Sequence, residues 1–133
     1  MKQSDMVWIT DKPIQPELVV DEVRTTDSGC VLAYVGLIRD NSHGKPVLSV
    51  EYQDSDGKAV DALREIASEA GKRRHIEGIA ISHRIGKLMV GDINLVVAVA
   101  SAHRNEGFAA CQYIIDQFKE RLPTQKIEKY QDR

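Results

Sequence analysis

The sequence predicts a single α+β domain with a mixed or largely antiparallel sheet and flanking helices. Two observations lead to this fold class: strand-like and helix-like segments alternate irregularly, and short polar or glycine-bounded turns join some of the strands. The chain of 133 residues is long enough to bury one hydrophobic core. We therefore treat residues 1–133 as one domain.

The first part of the chain predicts a strand, a short helix and two further strands. Residues 7–10 favour a strand, and a helix follows over 16–23, because proline is tolerated in the first helical turn. The apolar run 30–38 is typical of a strand that is covered on both faces. After a polar loop at 39–46, the segment 47–52 resumes extended structure.

The middle of the chain predicts a helix and then two strands. Apolar residues recur at steps of three and four from Lys58 onward, and Asp56 is a suitable N-cap for this helix. The basic cluster 72–74 closes it, as expected for side chains that complement the helix dipole. Strands are predicted at 79–85 and 93–100, with a glycine-bounded excursion between them.

The last predicted helix spans about 104–121 and ends at Leu122-Pro123. Its apolar residues form one stripe, because they are separated by three or four positions. They are Phe108, Cys111, Ile115 and Phe118. The segment 124–133 is polar, and we expect it to be a loosely held tail.

Composition excludes several classes of function. The net charge is −2, with 18 basic and 20 acidic side chains, which argues against a nucleic-acid-binding surface. Neither a membrane span nor a signal peptide is predicted. The two cysteines, Cys30 and Cys111, are far apart in apolar contexts, so we expect buried reduced thiols in a cytoplasmic protein, with no metal site and no resident cofactor.

The most informative segment is Ser101-Ala102-His103-Arg104. It joins a predicted strand to a predicted helix, so His103 and Arg104 lie where unpaired backbone N–H groups and the helix dipole favour an anion. We expect a third cation from the far end of the same helix to complete the pocket. The pattern indicates binding of a small anionic molecule, most simply a phosphate.

Three other cations are candidates for the same site. Arg39 follows a buried strand directly, and its planar guanidinium suits a phosphate or carboxylate. Lys119 lies beside the apolar stripe of the last helix, which would place its ammonium group at the edge of a cleft. The alternative for Arg39 is an ordinary surface arginine at a strand end, and for Lys119 it is a surface lysine with a packed stem. Lys126 lies in the polar tail, and its position alone does not indicate a function. For His83, we expect a buried strand histidine satisfied by a hydrogen bond.

A series of short segments in a fixed order and spacing connects this sequence with a known family. The segments are Tyr34–Arg39, Gly44, Val50–Tyr52, His83–Leu88, Gly91–Asp92, Ser101–Arg104, Phe108–Ala110, Ile115–Asp116, Phe118–Lys119, Pro123 and Lys126. Together they resemble the large, catalytic subunit of molybdopterin synthase over roughly residues 29–128.

The resemblance implies an α/β-hammerhead type of fold and a homodimer that forms a heterotetramer with two copies of a small ubiquitin-like sulfur carrier. The carrier's C-terminal Gly-Gly thiocarboxylate would donate sulfur to cyclic pyranopterin monophosphate, and two transfers would produce the dithiolene of molybdopterin. Carried over by position, Arg39, His103 and Arg104 would bind the substrate. Lys119 and Lys126 would be catalytic, Lys119 by proton transfer or transient covalent chemistry and Lys126 by orienting the substrate.

The sequence also departs from the family pattern. Gln125 stands where the family has a tryptophan before the second lysine, and the chain stops at Arg133, where the family continues to a Gly-x-x-Trp segment. These departures leave a second hypothesis open, a non-catalytic paralogue that binds the carrier or an anionic pterin as a regulatory module. A third hypothesis is an unrelated α+β ligand-binding domain, which requires the ordered matches to be coincidental.

Overall fold

A computed structural model describes residues 6–73 and 75–131 and contains two sheets and three helices in that part of the chain. In chain order the elements are β1 (Met6–Thr10), α1 (Pro16–Val23), β2 (Cys30–Leu37), β3 (Asn41–Ser42), β4 (Lys45–Gln53), α2 (Ala59–Arg73), β5 (Ile76–Arg84), β6 (Gly86–Met89), β7 (Ile93–Ser101), α3 (Arg104–Glu120) and β8 (Gln125–Tyr130). The predicted α+β class, with a mixed sheet and flanking helices, is confirmed. Helices were predicted at all three observed positions.

The larger sheet has the strand order β1-β5-β7-β2. Strand β1 runs parallel to β5, whereas β7 is antiparallel to both of its neighbours, β5 and β2. The two central strands, β5 and β7, are buried over most of their length, because helices cover both faces of the sheet.

Alternate side chains of the central strands pack into two separate cores. On one face, large residues such as Ile79, Ile81 and Val97 pack with α2 and α3. On the other face, the smaller Ala80 and Ala98 pack with residues of α1, among them Val19 and Val23.

The smaller sheet is built around β4, which pairs with β3, β6 and β8. The prediction of a loosely held tail is wrong for residues 125–130, which form β8 along one edge of β4. Residues 132–133 lie outside the described part. The segment is too polar to predict its own strand, since its side chains are mostly exposed and its order comes from backbone pairing with β4.

The structure also corrects the prediction that residues 30–38 form a strand covered on both faces. Strand β2 is the last strand of its sheet, and Val35 and Leu37 are 39% and 57% exposed. Both cysteines are free thiols, but only Cys111 is buried, and its burial raises the pKa of that thiol to about 11. Cys30, at the start of β2, is half-buried.

Candidate functional site

Three of the five predicted site residues line one open pocket of about 520 Å³ between the two sheets. They are Arg39, Lys119 and Lys126, which are separated by up to 87 positions in the sequence. The volume falls within the range of small-molecule sites. The pocket can therefore hold a compact anion with three cationic side chains around it.

A different element carries each of these cations. Arg39 lies just beyond the end of β2, where Ile38 is buried and fastened by backbone hydrogen bonds to Gly91 and Asp92. Lys119 is in the last turn of α3, directly after the buried Phe118. Lys126 is on β8. Three rigid attachments to one pocket hold the charges without long flexible loops.

An acidic side chain balances part of this charge. The Lys126 Nζ lies 3.8 Å from a carboxylate oxygen of Glu128, and the Tyr130 hydroxyl donates a hydrogen bond to the same carboxylate at 3.0 Å. Burial acts to raise the pKa of Glu128, but hydrogen bonds from Ser42 and Tyr130 and the charge of Lys126 outweigh it, so the net pKa lies below its usual value. Glu128 is therefore ionised at neutral pH and holds Lys126 at the pocket wall.

The floor of the pocket contains a polar pair that sequence reasoning did not single out. The Asn94 amide nitrogen donates to the Tyr52 hydroxyl at 3.0 Å, and burial raises the pKa of Tyr52. A Cβ added at Gly36 would lie 2.8 Å from the Asn94 amide oxygen, so glycine there leaves room for this side chain. Tyr52 and Gly36 were part of the matching segments, whereas Asn94 stands in an apolar run and gave no signal.

His83 lies under this floor, and its prediction as a buried histidine is confirmed. Its ring is fully buried, with Nδ1 2.9 Å from the Asn94 carbonyl oxygen and Nε2 3.0 Å from the Thr124 hydroxyl. Burial is the main reason that the pKa of His83 lies below its ordinary value.

The remaining two predicted residues, His103 and Arg104, line a different pocket of about 560 Å³ together with Gly29 and Cys30. The expectation that a cation from the far end of the same helix completes this pocket is wrong within one chain. Arg104 begins α3 and Lys119 is in its last turn, so they are about 22 Å apart along the helix axis. A straight helix cannot bring its two ends to one ligand.

Close packing shapes the turn that carries His103 and Arg104. The Ser101 hydroxyl donates to the His103 carbonyl oxygen at 2.6 Å, and His103 is the N-cap of α3 without a side-chain capping bond. Two glycines allow this packing: a Cβ at Gly29 would lie 2.1 Å from the Ala102 carbonyl oxygen, and one at Gly107 would lie 2.7 Å from the Ser101 hydroxyl. The turn thus presents both side chains beside the uncapped first turn of α3, as expected for an anion site.

In the described part of the chain, none of the helices is both long enough and apolar enough to span a membrane. Among the same residues, no group of three or more His, Cys, Asp or Glu side chains is arranged to hold a metal ion.

Both the sequence and the fold of this chain match those of known proteins. The family model described as MoaE protein matches residues 9–121. A molybdopterin synthase catalytic subunit from Nostoc sp. is 36% identical over 98% of this chain and 80% of its own length. The crystal structure of molybdopterin synthase from Staphylococcus aureus superposes with a TM-score of 0.86 at 30% identity, covering 94% of this chain and 91% of the other.

A more distant structure shares the fold. It is a protein–protein complex of subunits 1 and 2 of molybdopterin-converting factor from Helicobacter pylori, with a TM-score of 0.75. The matched chain is 12% identical, with coverage of 96% of this chain and 86% of that one.

Proposed function

This chain belongs to the MoaE protein family, and from that membership we propose that it is the catalytic, sulfur-transferring subunit of a molybdopterin synthase. Its substrate is cyclic pyranopterin monophosphate, and its sulfur donor is the C-terminal thiocarboxylate of a small ubiquitin-like carrier. The observation that carries the proposal is the meeting of Arg39, Lys119 and Lys126 at one pocket.

The charges of the pocket suit this reaction. Both reactants, a pterin phosphate and a thiocarboxylate, are anions that repel each other, and cations fixed between them lower the cost of bringing them together. Lys119 is the group that moves a proton or forms a transient covalent bond at the reacting carbons. Lys126, held by Glu128, orients the substrate and offsets its charge.

The sulfur in this proposal comes from outside the chain. The two cysteines do not line the pocket of Arg39: Cys111 is on the buried face of α3, and Cys30 lies at the other end of β2. A carrier that delivers an already activated sulfur atom removes the need for a cysteine nucleophile in this pocket. A narrow Gly-Gly terminus is a suitable shape for entering it alongside the pterin.

We also propose that two copies of the chain form each active site. Strand β2 ends its sheet, and exposed apolar side chains flank that edge, namely Val35, Leu37 and Phe108. Two copies packed along β2 around a twofold axis perpendicular to the strand have antiparallel β2 strands. The start of one β2, with His103 and Arg104 beside it, then lies next to the end of the other, where Arg39 is located.

A site shared between two copies accounts for the presence of the five cations in two separate pockets of one chain. Strand β2 has eight residues and a length of about 25 Å. Antiparallel packing places one subunit's pair of phosphate ligands close to the lysines of its partner. Each dimer then has two composite sites, and one carrier bound at each gives a heterotetramer.

Reconstitution tests the proposed activity. The purified chain is mixed with a thiocarboxylated carrier and cyclic pyranopterin monophosphate, and the dithiolene product is measured along with carrier binding. We expect carrier binding and product formation that consumes two thiocarboxylates for each pterin. Carrier binding without product would instead support the non-catalytic binding module, and the absence of both would support an unrelated ligand-binding domain.

A further inference from the structure

The fully buried ring of His83 contacts the elements that form the pocket of Arg39, Lys119 and Lys126. Its ring packs edge-on against Tyr52, with a centroid distance of 4.9 Å, and against Phe118, with a centroid distance of 5.0 Å. Its two nitrogens hydrogen-bond to Asn94 and Thr124. Four contacts therefore join one imidazole to strands β4 and β7, helix α3 and the segment that leads into β8.

The hydrogen-bond partners determine the tautomer of His83. A backbone carbonyl oxygen can only accept, so Nδ1 carries the proton and donates it to Asn94. Burial favours the neutral ring. In that ring Nε2 has a free lone pair, and the Thr124 hydroxyl donates to it at 3.0 Å.

Each partner of His83 is tied to a functional part of the pocket. Phe118 directly precedes Lys119 on α3, and the buried Thr124 precedes Lys126 by two positions at the start of β8. The other two partners, Tyr52 and Asn94, line the pocket and are hydrogen-bonded to each other. The imidazole thus connects Phe118, which precedes Lys119, with Thr124, which lies two residues before Lys126.

We propose that His83 is a positioning residue for sulfur transfer, which sets the relative placement of Lys119 and Lys126 through Phe118 and Thr124. This inference rests on the proposed function, since it assigns the two lysines to one reaction. His83 does not touch substrate, because its ring is fully buried beneath the pocket. Its effect is to keep the end of α3 and the start of β8 at a fixed distance.

Two substitutions break the link between His83 and Thr124 from opposite sides. Thr124→Val keeps the shape of the side chain and removes the donor. His83→Asn keeps an N–H group near the position of Nδ1 for the Asn94 carbonyl and removes the acceptor for Thr124. We expect each to lower kcat about tenfold or more, with the KM for the pterin changed less than about threefold.

The double variant distinguishes positioning from general damage. Since both single substitutions remove the same contact, we expect His83→Asn with Thr124→Val to be no worse than the poorer single variant, within about twofold. His83→Gln, which places an amide group near the position of Nε2, should recover part of the lost kcat. Losses that multiply in the double variant would overturn the proposal.

Ile79→Val is the matched control for stability. Ile79 is fully buried in β5, the strand that carries His83, and packs in the core between the sheet and the two long helices. We expect it to lower the thermal unfolding midpoint while kcat stays within about twofold of wild type. Suppose that Ile79→Val and Thr124→Val lower the thermal unfolding midpoint equally. If Ile79→Val then reduces kcat as much as Thr124→Val does, the role of His83 is only structural.

A measurement that does not depend on turnover separates this inference from the proposed function. Lysines are reductively methylated with ¹³C, and the NMR signals of their dimethylamino groups are followed in each variant. We expect the Lys126 and Lys119 signals to shift in Thr124→Val, whereas that of the exposed Lys72, which lies near the start of β5 and so at the opposite end of that strand from His83, does not. The absence of product from the wild-type protein would refute the proposed sulfur transfer. Unchanged NMR signals for both pocket lysines in Thr124→Val would refute the positioning role of His83.

Discussion

Lys126 lies directly opposite Tyr52 in the antiparallel pairing of β8 with β4. Directly opposed residues share one face of a sheet, so the lysine emerges on the side where Tyr52 forms the pocket floor. Slippage of β8 by one residue would move Lys126 to the other face. Residues 125–130, whose sequence does not predict a strand, therefore form one side of the pocket because they pair with β4.

Lys119→Ala should abolish turnover while leaving the fold intact. Removing a charge that stabilises the transition state costs about 2–5 kcal/mol, which corresponds to a loss of at least about 30-fold in rate. The exposed position of Lys119 predicts an unchanged circular dichroism spectrum and unfolding midpoint. Lys58→Ala, at an exposed lysine before α2, serves as the control, and near-native activity of Lys119→Ala would remove that residue from the mechanism.

Mixing two inactive variants should restore activity if the sites are composite. In a heterodimer of Lys119→Ala with Arg104→Ala, one site has both defects and the other has none. Random exchange makes half of the dimers mixed, so we expect about a quarter of wild-type activity. The measurement is turnover after subunit exchange, with each variant alone as the baseline. No recovery, despite mixed dimers detected by native mass spectrometry, would contradict shared sites.

The neutral state of His83 should make the fold sensitive to mild acid. Its pKa is lowered mainly by burial, against the opposing effects of its hydrogen bond to Asn94 and the charge of Asp54. The folded state therefore binds fewer protons than the unfolded state, and stability falls as pH drops below about 6.5, by up to about 1.4 kcal/mol per pH unit.

Urea unfolding between pH 5 and pH 7 measures this dependence, and the range avoids most of the titration of Glu69 and Glu128, whose pKa values are lowered. His83→Gln should flatten the pH dependence, although the variant is less stable at pH 7. An equally steep fall in the variant would assign the sensitivity to another group.

Gly29→Ala should disturb the turn that presents His103 and Arg104. The added Cβ would lie 2.1 Å from a backbone oxygen of Ala102, and backbone cannot yield as a flexible side chain can. We expect a loss of about 1–3 kcal/mol in the free energy of unfolding and weaker pterin binding.

Thermal unfolding and equilibrium titration with the pterin monitor both effects of Gly29→Ala. The neighbouring Ser28→Ala, which removes only an exposed hydroxyl contact with Thr25, should change unfolding by less than about 0.5 kcal/mol. If Gly29→Ala were equally mild, the close approach at this turn would not constrain it.

The elements that could be predicted from the sequence are those with strong local signals. Helix α3 and strand β7 carry their own periodicity or length, so both elements lie where they were predicted. The predicted stripe of α3 is only partly confirmed, because Cys111 and Phe118 are buried but Phe108 is 57% exposed. The predictions were wrong for strand β8 and for the exposed edge of β2, because strand pairing and sheet order depend on distant parts of the chain. For the same reason, Asn94 and Glu128 could not be recognised as pocket residues.

By itself, the sequence determined the α+β class, the three helices and a set of cationic side chains suited to an anion, since propensity, periodicity and residue chemistry are local properties. Only the tertiary structure decided that Arg39, Lys119 and Lys126 share one pocket, while His103 and Arg104 line another. The physical reason is that helix α3 is a rigid rod, which keeps its two ends about 22 Å apart. The lysines Lys119 and Lys126 are brought together instead by the pairing of β8 with β4 and by the packing of both sheets around His83.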